Sequence, residues 1–180
     1  ALGGALAMAS GTGVSSQGGT VRLSASAGLA LGRVDAGTGM VSLLAHGGAI
    51  TRVGASTTDI LAGALRLQAS GAIGQADAAL RTDVKTVSAR SAGGDIVLLN
   101  SGDLTVGAVS DLVLLRAWAG ADASQVSDRA QSGLFTSGAG GVRVQTLDGS
   151  LTLRITPALD GGFAIRSGSG GVSLVAGGAG

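Results

Sequence analysis

Gly93-Gly94-Asp95-Ile96-Val97-Leu98-Leu99-Asn100-Ser101-Gly102-Asp103-Leu104-Thr105-Val106 carries the pattern that decides the fold: a glycine turn, an apolar couplet, a second glycine turn and another couplet. The second anchor, Leu104, follows the first, Ile96, by 8 residues, and the same step separates Val21 from Leu29 and Leu65 from Ile73. Val142/Leu151 and Phe163/Val172 repeat it at 9. Units opening at Val21, Val41, Leu65, Ile96, Val142 and Phe163 include neighbouring intervals of 20, 24 and 21 residues. That is a coil of about 20–24 residues, within the range of solenoid repeats.

Inside the couplets the alternation has period 2. Val21 and Leu23 share a face with Arg22 opposite, Leu65 and Leu67 with Arg66 opposite, and Val142 and Val144 with Arg143 opposite. Apolar residues therefore point inward and arginines outward. Two short strands per coil, with a third side from residues such as Leu80 to Val87, stack in parallel at about 4.8 Å per coil. The expected fold is all-β, a parallel β-helix (solenoid) in which roughly eight coils make a rod about 40 Å long. Glycine pairs such as Gly47-Gly48, Gly93-Gly94 and Gly140-Gly141 fall at its corners, where positive φ or close backbone approach is cheapest without a Cβ. The rival is an antiparallel sandwich with the same glycines in hairpin turns; repetition at a constant period favours the solenoid.

Composition agrees. The 180 residues include 34 glycines and 2% aromatics, so few side chains are large enough to fill a thick core, and a narrow one fits better. All 11 acidic residues are Asp and 11 of the 12 basic residues are Arg, a set that favours turns and strand surfaces over helix faces. A net charge of +1 without a basic run gives no footing for nucleic acid. No cysteine is present, which excludes disulfides and thiolate metal sites. Mean hydropathy is +0.48, yet no apolar run approaches 18 residues, and three aromatics cannot form the two girdles of a membrane barrel, so this segment is not expected to insert into a membrane. Ala1-Leu2-Gly3-Gly4 has no charged signal-peptide start, so we expect an interior segment of a longer protein, its coil ends covered by neighbouring coils of the parent.

The chain reads as one segment over 1–180 whose pattern breaks at about 117–137. Val113 and Leu115 continue a coil, but the following residues supply no clear next one. Gly120 to Gly133 is the most polar stretch, bracketed by Trp118 and Phe135. Solenoid insertions project from one face, often the binding face, so Trp118, Asp122, Gln125, Asp128, Arg129 and Phe135 form a candidate interaction loop, with covering of the coil beneath as the plain alternative.

Catalytic and metal motifs are scarce. His46 is the only histidine and sits at a corner, too little for a His-based metal site or a triad. Asp95, Asp103 and Asp111 recur at intervals of 8 and could flank a groove in a polysaccharide-active enzyme, although turn duty beside Gly94 and Gly102 accounts for two of them. Calcium-binding glycine nonapeptides, phosphate cradles and threonine arrays each lack a required residue, and no cofactor is expected.

Residues Leu80 to Val109, above all Gly93-Gly94-Asp95-Ile96 and Ser101-Gly102-Asp103-Leu104-Thr105-Val106-Gly107-Ala108-Val109, resemble the coils of filamentous-haemagglutinin-type bacterial exoproteins. Weaker versions cover Gly18 to Ile73 and Gly140 to Ala176. The resemblance implies a right-handed β-helix rod and export across the outer membrane to the cell surface or the medium. It also implies a non-catalytic role in adhesion or in projecting a terminal domain, with a host-cell surface or a glycan as the prospective partner. A glycan-binding module and the polysaccharide-active enzyme are the alternatives.

Overall fold

The computed structural model describes residues 3–118 and 121–177. The chain is almost entirely β, with long parallel sheets, and its one helix among the described residues is the single turn Pro157–Asp160. No helix among them is long and apolar enough to cross a membrane.

Successive passes of the chain lie side by side in register, and three rows of residues result. In the first, Val21, Val41, Leu65 and Val87 are neighbours. The second runs Leu6, Leu29, Ile50, Ile73, Ile96, Val142, Val172. The third runs Val14, Val34, Ile60, Thr82, Asn100, Thr146. Apolar members of all three rows, from Val21, Leu29 and Val34 to Ile96 and Val142, belong to one buried core. Each fully buried Leu or Ile contributes about 1.5–3 kcal/mol of hydrophobic stabilisation. Seven members at about 4.8 Å give the second row a depth of about 29 Å. That falls short of the expected length of about 40 Å, and residues 107–133 and 154–164 lie outside the parallel rows.

The phase of the repeat differs from the expectation. Ile96 does not continue the row of Val21 and Leu65; it stacks beyond Ile73 in the second row, while Val87 stacks beside Leu65. Two similar apolar anchors per coil leave the phase ambiguous. Val87, in Lys85-Thr86-Val87-Ser88, has no glycine pair to announce it. Phe163 opens no unit either: it is 54% exposed, and Ile165 takes the sheet position beside Leu134.

Glycine at the corners answers chiefly to close approach. Gly94 does not have positive φ, but a Cβ placed on it would lie 2.8 Å from the Ala72 nitrogen and 2.9 Å from its Cα, so the next pass could not stack.

The pattern break is a β-hairpin. Beyond the residues paired with Ile96–Asn100, the long strand Leu80–Ser91 is covered by two separate pieces, with Val106 on Val87 and Leu134 on Ala89. Between them the chain runs out through Ala108–Val109 and Leu112–Trp118 and returns through Ala121–Asp128 and Gln131–Ser132, all antiparallel. Val113 and Leu115 thus stand in the hairpin and continue no parallel row, while Leu134–Thr136, placed by the sequence inside the break, is already back in the sheet. The same position opens again one pass later, where the helical turn separates Leu151–Leu153 from Ile165–Arg166.

Candidate interaction surface

Alternation along the first-row strands turns Arg22, Ser42, Arg66 and Ser88 outward as in-register neighbours. The returning arm of the hairpin crosses this row. Asp128 accepts from Arg22 Nε and Nη2, both at 2.9 Å, and from Ser42 Oγ at 2.7 Å. The Arg129 carbonyl accepts from Arg66 Nε at 3.1 Å, Gln131 Nε2 donates to the Leu67 carbonyl at 3.1 Å, and the Gly133 carbonyl accepts from Ser88 Oγ at 3.0 Å. Extended chain rises about 3.3 Å per residue and strands lie about 4.8 Å apart, so the five steps from Asp128 to Gly133 span the three strand spacings from Arg22 to Ser88. Length and donor positions match, and the arm is fastened at every pass.

Electrostatics follow from that cover. Burial works against the Asp128 charge, but the hydrogen bonds from Arg22 and Ser42, with the charges of Arg22 and Arg66, outweigh it and hold the carboxyl below its ordinary range. Burial also pushes the Arg66 guanidinium down, opposed by Asp128 and reinforced by Arg22 and Arg90. Arg66 is 6% exposed and its buried Nη1 has no hydrogen-bond partner among the described residues.

The candidate loop residues therefore separate into different environments. Asp128 is buried and structural. Arg129 is exposed and engages the sheet through its carbonyl. Gln125 is exposed opposite Leu115, in register with it, and Val113 and Leu115 on the same strand are 53% and 77% exposed. Trp118 pairs with Ala121 near the tip. The side chains of Trp118 and Asp122 lie outside the described residues. Phe135 belongs to the resumed sheet, in register between Arg90 and Arg166.

Around Phe135 the outer face carries an alternating stack. The Arg90 guanidinium lies 4.8 Å from the Phe135 ring centre, Arg166 lies 5.6 Å from it, and Arg166 lies 4.8 Å from the Phe163 ring. Phe135 thus meets Arg90 and Arg166, and Phe163 meets Arg166. Arg90 Nη2 donates to the Leu159 carbonyl at 3.0 Å, and burial pushes Arg90 down with Asp160 opposing. Asp160 itself is taken up by the local backbone: its oxygens accept from Ser132 Oγ at 3.0 Å, from Gly162 N at 2.9 Å and from Thr156 N. Burial works against its charge, and those bonds with Arg90 keep its carboxyl below the ordinary range. The sequence reading missed Arg90, Phe163 and Arg166. The available signal was alternation, since Leu134 and Ile165 facing inward turn Phe135 and Arg166 outward together.

The remaining candidates have local partners. Asp95 Oδ1 accepts from Gly141 N at 2.8 Å and Asp103 Oδ1 from Ser150 N at 2.7 Å, each tying a corner to the next pass. Asp111 is exposed at the root of the hairpin, and His46 is exposed with its Nε2 3.2 Å from Ser24 Oγ. No group of three His, Cys, Asp or Glu side chains that could hold a metal occurs among the described residues. Compared with family models, curated proteins and solved structures, the chain matches none.

Proposed function

We propose that this chain is a segment of a right-handed parallel β-helix rod from a large exported bacterial exoprotein of the filamentous-haemagglutinin type, without catalytic activity of its own. Its work is mechanical and presentational: a stiff stack holds an outer face and a projecting hairpin toward a host-cell surface or a glycan. The place of action is extracellular or at the bacterial outer-membrane surface.

The observation that carries the reading is the shared core of three in-register parallel rows, interrupted only where the chain leaves outward. A stack of this kind gains stability from each added pass and needs no central globular core. Beads carrying the chain, incubated with host cells and a glycan panel beside beads whose residues 112–128 are replaced by a short Gly-Ser turn, test presentation. Binding by the intact chain supports the reading; binding by neither version removes the adhesive role. Small-angle scattering tests the rod separately, with an elongated particle expected and a spherical one overturning it.

A further inference from the structure

The alternating stack at Phe135 has an unused capacity. The Arg166 guanidinium lies 5.6 Å from the Phe135 ring centre and 4.8 Å from that of Phe163, and its N–H fork donates to no protein group among the described residues. A fork of this kind matches a planar carboxylate with two parallel hydrogen bonds. Beside it lies an open cavity of about 350 Å³, bordered by Arg90, Phe135, Ser137 and Asp160.

The geometry points to a site for a uronate residue of an acidic polysaccharide, its carboxylate on the Arg166 fork and its sugar ring against the exposed ring of Phe163. Charge permits it. Asp160 is the one acid in the wall, and its oxygens are already engaged by Ser132, Thr156 and Gly162. Arg90 has turned one nitrogen to the Leu159 carbonyl, so the principal free fork is that of Arg166, which suits one planar carboxylate. A ring ligand is favoured over an acidic peptide by Phe163, 54% exposed and beside the same guanidinium, because a sugar ring has an apolar face to lay on it. This inference rests on the outer face being a presented surface.

The test is calorimetric titration of the chain with trigalacturonate, its neutral methyl ester and triglutamate at matched ionic strength. Trigalacturonate is expected to bind, and the ester and the Arg166→Gln variant to be weaker by at least about tenfold, as for loss of a charge-assisted fork. Phe163→Ala should weaken trigalacturonate and leave triglutamate unchanged, and Arg143→Gln should change neither. Equal binding by the wild type and Arg166→Gln overturns the site. Triglutamate binding as tightly as trigalacturonate, indifferent to Phe163→Ala, makes the partner an acidic peptide and overturns the sugar. Should Arg166→Gln not fold, the ester and Phe163→Ala decide. No binding by the wild type overturns the proposal, while the rod reading stands or falls on the scattering measurement.

Discussion

Arg22 and Asp128, 106 positions apart, form a two-pronged ion pair in which Nε and Nη2 each donate to a carboxylate oxygen at 2.9 Å. The Asp128 side chain is 3% exposed and that of Arg22 18%, so solvent screens the pair only in part. Arg22 lies on the first strand of its row and Asp128 at the end of the returning hairpin arm. The pair joins the beginning of the stack to an insertion from its later half.

Removing the acid should release the arm. Asp128→Ala leaves Arg22 and Ser42 without their shared acceptor, and a loss of about 2–4 kcal/mol is expected. In urea unfolding the midpoint should fall, and hydrogen exchange should quicken over 112–132 while the row Leu29, Ile50, Ile73 stays protected. Uniform loss of protection would mean that the hairpin and the stack unfold as one unit.

The same carboxylate sets an acid limit. Its folded pKa is depressed below the ordinary 3.8, so its contribution is full above that value and is lost as pH falls through the lower folded value. Proteolysis of the hairpin is therefore expected to be flat from about pH 5 to 8 and to rise only below about pH 4. Asp128→Asn should remove that acid-dependent step; an unchanged step in the variant would assign it to another carboxylate.

Two neighbouring glycines make opposite predictions. At Gly94 an added Cβ meets the Ala72 backbone at 2.8–2.9 Å, whereas at Gly102 nothing lies within 4 Å, and neither has positive φ. Gly94→Ala should cost about 1–3 kcal/mol through a forced shift of the stacked passes. Gly102→Ala should be neutral or stabilise by up to about 1 kcal/mol by restricting the unfolded chain. Thermal melts of the two variants compare them directly, and equal effects would refute the stacking explanation.

These contrasts mark how much of the fold can be read from residues alone. Alternation in Val21-Arg22-Leu23 and Leu65-Arg66-Leu67 identifies strands and their inward faces, because period 2 is a local property. Which strand stacks on which is not local, and Val87 shows why: its partner Leu65 is 22 positions away and no turn marks it. The hairpin is hidden for a related reason. Leu112 to Leu115 reads like any other couplet, and only the pairing with Ala121–Asp128 shows that it turns back on itself. For the candidate surface, Phe135 was legible as an aromatic beside the break, but its stacking on Arg90 and Arg166 depends on three successive passes.

Asn100 tests the polar part of the interior. The third row changes from Val34 and Ile60 to Thr82, Asn100 and Thr146, all buried. Asn100 Oδ1 accepts from Thr82 Oγ1 at 2.8 Å and from Val84 N at 3.0 Å, while Nδ2 donates to the Gly102 carbonyl at 2.9 Å. Asn100→Leu restores bulk but leaves the Val84 N–H without its acceptor. A loss of about 2–4 kcal/mol in urea unfolding is expected, against less than about 1 kcal/mol for exposed Arg143→Gln. A neutral Asn100→Leu would show that an apolar row suffices there.

Val172 and Leu174 cover Val142 and Val144 in register, and those two are 2% and 0% exposed as a result. No described strand does the same for Val172, Leu174 and Val175, which stand 50%, 38% and 42% exposed along an unpaired edge. An edge with free backbone donors and acceptors and aliphatic side chains is a template for another strand. The 180-residue chain is therefore expected to self-associate in sedimentation as its concentration rises, and Leu174→Lys, which adds a charge to that edge, should shift it toward monomer. A wild-type chain that stays monomeric across a wide concentration range would show that this edge does not recruit a second copy. Association undiminished in Leu174→Lys would move the contact to the exposed Val113 and Leu115 of the hairpin, where Leu115→Lys should then abolish it.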